Sequence, residues 1–425
     1  MQADVEVSAA GARSGWHTPV TASHPAAELL NAKAVRKHCR EIMAYVAGGE
    51  SPYFTWHEAQ LPATAAYVAD VIRERYPDLN VPYHSRWRHF EAGGMDRWGA
   101  VATAHGLDAA SAKEERARAR IDLVIPSVLL DAGAGAEWRF QDAASGQTLS
   151  RSEGLGVASL GLFTSGSLSG DAANPLRSDA AALAKIRPEH IAKAFQVNAG
   201  NPLVGLEGRA ALLARLGEIA EATPAVFGSP ARLGNLFDYL KAHSKDQRIE
   251  AGFVLRTLLL ALGPMWPGRM MLDGVSLGDC WSHPAAVGGR VPFHKLSQWL
   301  TYSLLEPLEE AGLEVIGLEE LTGLPEYRNG GLLLDMGLLQ PRDPGFHTRM
   351  LSVNEPAVVE WRAVTVVALD RLAELVRDML GKNPANFPLA CVLEGGTWAA
   401  GRKIAAQKRA GGPPPVHIDS DGTVF

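Results

Sequence analysis

Amphipathic segments with helical periodicity recur from about residue 28 to residue 380, and this recurrence constrains the fold more than any other feature. The clearest segment is 356–380, where large apolar residues share one stripe of the predicted helix. Ahead of it, Ser352 and Glu355 have the spacing of a capping box. Further helices are predicted over 28–47, 62–75, 178–195, 205–217, 250–262 and 293–311.

Signals for β-strands are fewer and shorter. Turn residues at Ser145-Gly146 and Asp273-Gly274 predict two β-hairpins, and the apolar run 389–393 predicts one more strand. The strand–helix alternation that builds a parallel sheet is not sustained along the chain. The sequence therefore predicts a mainly α fold with minor β hairpins.

The chain changes character once along its length. Residues 1–27 are rich in Ala, Ser, Gly and Thr without periodicity, which predicts a flexible N-terminal arm. No Pro/Ser-rich linker interrupts residues 28–410. Because domain boundaries usually fall in such linkers, residues 28–425 are expected to form a single large, mostly helical domain.

Charge and cysteine content exclude several classes of protein. The 425 residues carry 41 Lys and Arg against 47 Asp and Glu, a formal charge of −6, and 47% are hydrophobic. This apolar content excludes a disordered chain, and the acidic balance argues against nucleic-acid or membrane partners. The three cysteines lack zinc-ligand or disulfide spacing, and the N-terminus lacks a signal-peptide pattern. A cytoplasmic protein is expected.

The stretch YHSRWRHF concentrates arginines and histidines among aromatic residues. Guanidiniums beside aromatics hold planar or phosphorylated small ligands, because they offer a bidentate fork and also stack. This favours His84, Arg86 and Arg88 as binding residues. The alternative is an ion-pair network with Glu91 and Asp96 beside core aromatics. Metal binding is not expected, because the two histidines are five residues apart and do not align on one helix face.

Two later segments, 292–302 and 321–337, contain further candidates. The first begins an amphipathic helix with Lys295 off its apolar stripe. The second has the pattern of a helix–hairpin–helix, with a Gly/Pro turn that places Glu326 and Arg328 at the start of its second helix. The helix dipole stabilises a carboxylate there, which suits an anion that faces a developing cation. The alternative is that Glu326 only caps the helix.

Glycines are repeated in the stretches 131–135, 151–156 and 394–402. None of the three matches the GxGxxG pattern after a strand or the GxxxxGK[ST] phosphate loop, so a nucleotide-binding fold is not indicated. Such glycines indicate turns or a close approach of the backbone to a ligand or a neighbouring helix.

Six motifs stand out along the chain: PYHSRWRHFEAGG (82–94), SVLLDAGAG (127–135), NPLVGLEGR (201–209), PFHKLSQWL (292–300), PEYRNGG (325–331) and LEGGTWAAGR (393–402). Together they resemble the uracil catabolism protein 4 family, and the likeness runs from about residue 28 to the C-terminus. The resemblance implies a role in a pathway that degrades uracil through its nucleotide and a ribosylurea intermediate towards urea.

A more distant resemblance concerns the queuosine-phosphate N-glycosylase family. That family has an FYKRAQ helix followed, some thirty residues on, by ADYRxPQ, and here FHKLSQ and PEYR occur in the same order. The resemblance implies a helix–hairpin–helix glycosylase-like helical fold adapted to a free nucleotide. Glu326 replaces the family's Asp, and 329–331 replace its Pro-Gln, so base recognition must differ.

The two resemblances together imply hydrolysis of the N-glycosidic bond of ribosylurea or its 5′-phosphate, to urea and a pentose or pentose phosphate. The single domain is then catalytic, and neither a cofactor nor a metal is required. Glu326 would stabilise the oxocarbenium-like state at C1′, with Asp131 or Glu394 as the second acid/base. The expected substrate-binding residues are His84, Arg86, Arg88, His294, Lys295, Tyr327 and Arg328.

Two other functions stay open at this point. An amidohydrolase would attack the ureido carbon and release ammonia, but it would want a metal cluster or an activated Cys or Ser. A non-catalytic partner of another enzyme of the pathway is the third interpretation. The expected ligand in each case is a small nucleoside- or nucleotide-derived molecule, and the sequence does not indicate an oligomeric state.

Overall fold

The computed structural model describes residues 20–131, 133–135, 137–266 and 270–419. Helices dominate it, and the predicted mainly α fold with minor β hairpins is confirmed. Among the described residues, no helix combines the length and apolarity needed to cross a lipid bilayer. The α-helices are α1 Ala32–Ala47, α2 Leu61–Arg75, α3 Trp87–Phe90, α4 Arg97–Ala104, α5 Lys113–Leu129, α6 Arg151–Thr164, α7 Ala180–Leu183, α8 Pro188–Ala194, α9 Leu206–Ala222, α10 Pro224–Phe227, α11 Leu236–Ala242, α12 Ala251–Leu262, α13 Lys295–Glu310, α14 Tyr327–Asp335, α15 Pro356–Leu380, α16 Leu389–Cys391 and α17 Trp398–Lys408.

Local capping determines where the two longest helices of the predicted set begin and end. Helix α1 starts later than predicted, because the Asn31 side chain accepts a hydrogen bond from the Ala34 amide at 2.8 Å. Helix α15 matches its predicted bounds and ends at Gly381, which adopts the left-handed conformation with φ +65°. The Glu355 carboxylate accepts from the Ser352 amide at 2.7 Å, which is one of the two bonds of the predicted capping box.

The strands form six two-stranded ladders, four antiparallel and two parallel, in the described part of the chain. Both predicted hairpins are confirmed, as the pairs β2–β3 and β5–β6. The strands are β1 Phe54–Trp56, β2 Phe140–Gln141, β3 Thr148–Leu149, β4 Arg248–Glu250, β5 Met271–Leu272, β6 Val275–Ser276, β7 Cys280–Ser282, β8 Arg290–Pro292, β9 Glu314–Ile316, β10 Leu339–Pro341, β11 Met350–Ser352 and β12 His417–Asp419, with the further pairs β1–β10, β4–β9, β7–β8 and β11–β12.

Two predicted elements differ from the structure. The strand predicted at 389–393 is wrong, because these residues form α16 and the first two residues of a π-helix, Val392–Thr397, that continues into α17. A short apolar run fits a buried strand and a buried helix equally well. The helix predicted over 178–195 is divided into α7 and α8, since Pro188 cannot continue a helix and favours its first turn.

The segment 321–337 contains one α-helix, α14, where two short helices were predicted. A 3₁₀ turn, Leu318–Glu320, precedes it, and residues 321–326 run without helix between the two. Pro325 disfavours helix at the residue before it. The helix–hairpin–helix glycosylase-like fold stays a prediction.

The described chain divides into two compact units, each built from separate stretches of sequence. Unit A comprises Ser85–Gly278 and Trp299–Ile316 together with the described part of the N-terminal segment up to Ala27. Unit B comprises Glu28–His84, Asp279–Gln298 and the described residues from Gly317 onward. The single domain stays a prediction, and residues 1–19 of the predicted arm lie outside the described residues.

Each unit has its own helical core. In unit A, α5 and α3 pack against α6, and α7 and α8 pack against α9. In unit B, α1 and α2 pack against α15, and α14 packs against α17. The centre of α15 is fully buried on all sides, which explains its nearly continuous apolar composition.

Candidate functional site

Glu326 is the residue that caps the N-terminus of α14. Its two carboxylate oxygens accept hydrogen bonds from the amides of Arg328 at 2.7 Å and Asn329 at 2.6 Å. The predicted location of Glu326 at the start of a helix is therefore confirmed. Glu326 also caps the helix, as the alternative interpretation expected. Its catalytic role stays a prediction.

Tyr327 and Arg328 follow Glu326 in the first turn of α14. Burial raises the pKa of the Tyr327 hydroxyl to about 12, and the negative charge of Glu326 adds to the shift. Arg328 donates a hydrogen bond to the Gly412 carbonyl at 3.0 Å. Two of the predicted substrate-binding residues thus directly follow the Glu326 carboxylate in unit B.

Glu394 lies in the π-helical turn Val392–Thr397 and is buried. Its carboxylate contacts Nδ1 of His84, which is also buried, at 2.8 Å. Arg75 donates to the Glu394 carbonyl at 2.6 Å and approaches the carboxylate at 3.5 Å. Two residues predicted separately, one as an acid/base and one as a ligand contact, therefore form one buried acid–base pair.

Glycines make the π-turn fit against α2 and the segment that follows it. A Cβ on Gly395 would approach Val81 to 2.9 Å, and one on Gly396 would approach Val68 to 2.7 Å, both closer than real Cβ contacts. The repeated glycines of this stretch therefore serve a close approach to neighbouring apolar residues, which is one of the two roles predicted for them. A π-turn inside an α-helix is rare and is frequent at functional sites.

One hydrogen bond joins the start of α14 to the π-turn, and a second joins it to the segment before the helix. The Thr397 hydroxyl donates to the Asn329 side-chain oxygen at 2.8 Å, and the Asn329 amide group donates to the Leu324 carbonyl at 3.0 Å. Next to this contact, a Cβ on Gly401 would lie only 2.1 Å from the Arg328 carbonyl oxygen. The elements that carry Glu326 and Glu394 are therefore in direct contact within unit B.

The first residues of α13 are held by a buried carboxylate, Asp279. It accepts two hydrogen bonds from Arg362 at 2.8 Å each, one from the Trp281 indole at 2.6 Å and one from the Lys295 amide at 3.0 Å. Lys295 is itself buried. The sequence offered no signal for Asp279 or Arg362, because an ion pair between residues 83 apart leaves no local pattern.

His294 precedes α13 with a positive φ of 52°, a conformation that non-glycine residues adopt rarely. Its Nε2 contacts the Leu29 carbonyl at 2.8 Å, and burial lowers the pKa of its imidazole. The structure therefore places this predicted ligand-binding histidine in a buried packing position at the start of α13.

The start of α13 and helix α15 both contact the residues before Glu326. The Gln298 side chain donates to the Thr322 hydroxyl at 2.6 Å and accepts from the Thr322 amide at 2.8 Å. Arg362 donates to the Pro325 carbonyl at 3.5 Å. The motif segments that carry Lys295 and Glu326 therefore lie together, in agreement with their joint selection from sequence.

The other predicted residues, Arg86, Arg88 and Asp131, belong to unit A. Arg86 is fully buried, forms an ion pair with Asp131 at 3.0 Å and donates to the Ser127 hydroxyl at 2.7 Å. Two candidates chosen from different motifs are thus direct partners. They are 45 residues apart in sequence, so only the fold reveals their contact.

Arg209 is a third member of this group that the sequence interpretation missed. It is buried and donates to the carbonyls of Gly133 at 3.0 Å and Val204 at 3.2 Å. Burial lowers the pKa of its guanidinium to about 10, while Asp131 acts in the opposite direction and Arg86 adds to the decrease. The motif NPLVGLEGR ends in this residue and was the available signal.

Arg88 takes part in an ion-pair network, as the alternative interpretation of its segment expected. It pairs with Glu306 at 2.6 Å and with Glu91 at 3.0 Å. Asp96 does not join this network; it caps α4 by accepting from the Gly99 amide at 2.8 Å. The predicted pairing with Asp96 is therefore wrong, because a helix N-terminus offers that side chain a nearer donor.

The cysteines and the His, Asp and Glu side chains are the groups that could support nucleophilic or metal-assisted chemistry. All three cysteines are buried, and burial raises the pKa of the Cys39 and Cys280 thiols, that of Cys280 to about 12. Thiols in this state are poor nucleophiles. The described residues contain no group of three or more His, Cys, Asp and Glu side chains arranged to hold a metal ion.

Comparison with known proteins agrees with the motif pattern. A family model described as "Protein of unknown function (DUF1688)" matches residues 28–425. The chain is 36% identical to "Protein urg3" of Schizosaccharomyces pombe, over 94% of this chain and 98% of that protein. It is 34% identical to "Uracil catabolism protein 4" of Lachancea kluyveri, over 96% and 100% of the two chains. The chain therefore belongs to the DUF1688 family and is a relative of uracil catabolism protein 4.

Proposed function

We propose that this protein acts in uracil catabolism, in keeping with the name of its Lachancea kluyveri relative, by hydrolysing the N-glycosidic bond of ribosylurea or its 5′-phosphate. One observation carries the proposal. The Thr397–Asn329 hydrogen bond joins the π-turn of Glu394 to the helix start that Glu326 caps, so two carboxylates selected for glycoside chemistry lie on elements in contact. Enzymes that cleave glycosidic bonds commonly use two carboxylates in distinct roles.

Glu326 stabilises the positive charge that develops at C1′. Cleavage of the C1′–N bond passes through an oxocarbenium-like state, and a fixed carboxylate beside C1′ lowers its energy and orients the attacking water. The water oxygen bonds to C1′ as the C1′–N bond breaks, and Glu326 accepts the proton that the water loses. Glu326 is held before substrate binds, because both its oxygens accept backbone amides. A carboxylate has about four lone-pair sites, so two remain for the substrate and the water.

The Glu394–His84 pair supplies the proton for the leaving group. Urea leaves poorly as an anion, so its nitrogen must be protonated as the bond breaks. A buried carboxylate 2.8 Å from an imidazole shares a proton with it and delivers that proton without bulk water. Lys295 is the first residue of α13, and Arg328 lies in the first turn of α14. These two side chains bind the 5′-phosphate when it is present.

The test separates glycoside cleavage from attack on the ureido carbon. Metal-stripped protein is incubated with ribosylurea and with its 5′-phosphate, and ammonia is measured before and after urease is added. Ammonia that appears only after urease supports the proposal. Ammonia before urease would identify an amidohydrolase, and no product from either substrate would favour a non-catalytic binding role.

The roles of the two carboxylates are tested by substitution. Glu326→Gln and Glu394→Gln are each expected to reduce kcat by at least about 100-fold, the size expected when one acid/base or electrostatic group is removed. Glu355→Gln is the matched control, since Glu355 is also a carboxylate at a helix N-terminus in unit B. Full activity of the Glu326 variant would remove that residue from the mechanism.

The amidohydrolase alternative has less support from the residues at hand. Nucleophilic attack by cysteine requires a thiolate, and burial raises the pKa of the Cys280 thiol to about 12 and that of Cys39 in the same direction. The urease-coupled assay still decides between the two, because it does not depend on which group acts.

A further inference from the structure

Unit A buries two guanidiniums around one carboxylate. Arg86 is 0% exposed and Arg209 is 3% exposed, and Asp131 lies 3.0 Å from the Arg86 guanidinium. Burial lowers the pKa of both arginines, and the negative charge of Asp131 opposes this decrease in both. The charge of Glu153 also raises the pKa of Arg86. Burying two like charges together is costly unless further acceptors compensate them.

Two donors in this cluster have no hydrogen-bond partner among the described residues. They are Nη2 of Arg86 and the indole Nε1 of Trp299, which is 5% exposed. The Arg86 guanidinium carbon lies 5.7 Å from the centre of the Trp299 ring, so the two donors belong to facing groups. Buried donors in proteins are nearly always paired, and each exception needs an explanation.

Gly156 leaves α6 without a side chain at the point where the helix contacts Arg86. A Cβ on Gly156 would lie 3.5 Å from the Arg86 guanidinium carbon and 2.8 Å from the Cβ of His89. The Asp131 side chain retains 10% exposure, so the cluster reaches solvent at the carboxylate. The group is therefore buried at the guanidiniums and open at the acid.

We propose that Arg86, Arg209, Trp299 and Asp131 form a binding site for a phosphorylated sugar. The phosphate oxygens accept hydrogen bonds from Arg86 Nη2 and Trp299 Nε1, and Arg209 supplies the second positive charge. Asp131 accepts hydrogen bonds from the sugar hydroxyls at the open end. This site goes beyond the proposed hydrolysis, because binding is measurable whether or not the protein turns over ribosylurea.

The carboxylate is the reason to expect a sugar phosphate and not free phosphate. Asp131 repels a dianion that sits on the same guanidiniums, since like charges at short distance raise the free energy of the bound state. A ligand that brings hydroxyl donors converts this carboxylate into a hydrogen-bond acceptor. Selectivity then arises from a group that disfavours the wrong ligand.

The first test is titration calorimetry of the full chain with three probes: ribose 5-phosphate, inorganic phosphate and ribose. Ribose 5-phosphate is expected to bind at least about 10-fold more tightly than phosphate. One hydrogen bond from a sugar hydroxyl to the charged Asp131 carboxylate provides a gain of this size. Ribose is expected to give no heat. Equal affinities for the two phosphates, or no binding of either, would overturn the assignment.

The second test removes one donor and keeps the packing. Trp299→Phe deletes only the indole N–H and is expected to weaken ribose 5-phosphate binding by about 10-fold or more. Trp138→Phe is the matched control, because that indole is also buried in unit A but already donates to the Phe195 carbonyl at 3.0 Å. Equal losses of affinity in the two variants would contradict a donor role for Trp299.

The third test addresses the carboxylate. Asp131→Asn removes the repulsion and is expected to tighten inorganic phosphate binding about 10-fold, which narrows the preference for ribose 5-phosphate. Unchanged phosphate affinity would contradict the role given to Asp131. All titrations are repeated in a Lys295→Met/Arg328→Met background, which removes both phosphate contacts of the proposed hydrolysis, so that failure of that function and failure of this site are distinguished.

Discussion

Glu326 caps α14 with the same carboxylate that the proposed mechanism uses at C1′. The amides of Arg328 and Asn329 bind its two oxygens and fix the side chain at the start of α14. A group fixed before the substrate arrives does not have to reorganise in the transition state, which is the condition for electrostatic catalysis. The capping bonds are therefore the means by which the carboxylate is oriented.

The cap makes a prediction about stability at this residue. Glu326→Ala is expected to lower the free energy of unfolding by about 1–2 kcal/mol, because two helix amides lose their acceptor. Glu326→Gln retains one side-chain oxygen, so its free energy of unfolding is expected to fall by less. Both variants are expected to lose the proposed activity. Urea unfolding monitored by circular dichroism measures the difference. Equal stability of the alanine variant and the wild type would show that the cap contributes nothing.

At the scale of elements, the contact between α14 and α17 depends on a single small residue. Gly401 lies against the Arg328 carbonyl so closely that a Cβ would come within 2.1 Å of the oxygen. The nearby Thr397–Asn329 hydrogen bond supports the same contact. The two helices that flank the candidate site can approach because position 401 has no side chain.

Gly401→Ala is accordingly expected to destabilise the protein by about 1–3 kcal/mol or more, because the backbone oxygen cannot move aside like a flexible side chain. Gly208→Ala is the control within a helix, since a Cβ there meets nothing within 4 Å. That control is expected to stabilise by about 0.5–1 kcal/mol, the ordinary gain of alanine over glycine. Thermal or urea unfolding measures the stability of the two variants. A stability change of the same sign in both would contradict the close contact proposed for Gly401.

Elements with clear periodicity and clear end signals could be predicted from the sequence. Helix α15 has its predicted bounds, and α12 differs by one residue, because both combine an apolar stripe with a glycine at the end. The segment 389–393 could not be assigned, since five apolar residues have no period that separates strand from helix. Its π-turn packs closely against α2, a long-range contact that the local sequence does not reveal.

The candidate site could be predicted only in part. The motifs indicated Glu326, Glu394 and His84 singly, and the segment likeness indicated that Lys295 and Glu326 lie near each other. Their actual partners are long-range, as in the contact between Asn329 and Thr397 across 68 residues. Contacts of this kind depend on the whole fold, and neither composition nor local spacing encodes them.

At the scale of the whole molecule, the charge of −6 conceals buried cations that each unit compensates locally. In unit B the clearest case is Arg362 with Asp279. Burial alone would raise the pKa of Asp279, but the charge and hydrogen bonds of Arg362, together with the Trp281 and Lys295 donors, lower it below its ordinary 3.8. A folded-state pKa below the unfolded one means that the group stabilises the fold above about pH 4 and loses this contribution as the pH falls further.

Asp279→Asn is therefore expected to lower the free energy of unfolding at pH 7 by about 3–5 kcal/mol, because it leaves the Arg362 charge buried without its counter-ion. The deficit relative to the wild type is expected to narrow below pH 4, where the wild-type carboxylate begins to lose its contribution. Urea unfolding of both proteins at pH 7, 4 and 3 measures this difference in stability. A difference that does not change with pH would contradict the role given to the Asp279 carboxylate.

An exposed ion pair provides the control for that measurement. Asp238 pairs with Arg118 at 2.7 Å, but its side chain is 46% exposed. Asp238→Asn is expected to cost less than about 1 kcal/mol at pH 7, as exposed pairs usually do. A large effect there would indicate that general charge loss, and not burial, determines the response of Asp279→Asn.

The π-turn at Val392–Thr397 also sets the phase of the helix that follows it. A π-turn holds one residue more than the α-helical path it replaces, so every side chain after Thr397 is rotated by about 100° from its place on an uninterrupted helix. Gly401 faces Arg328 because of that rotation. If the same residues followed an uninterrupted α-helix, Ala400 would take this place and bring a Cβ against the Arg328 carbonyl. Deleting one residue from the turn is therefore expected to convert it into a regular α-helical turn, which leaves Gly401 against Arg328 and changes the surroundings of Glu394.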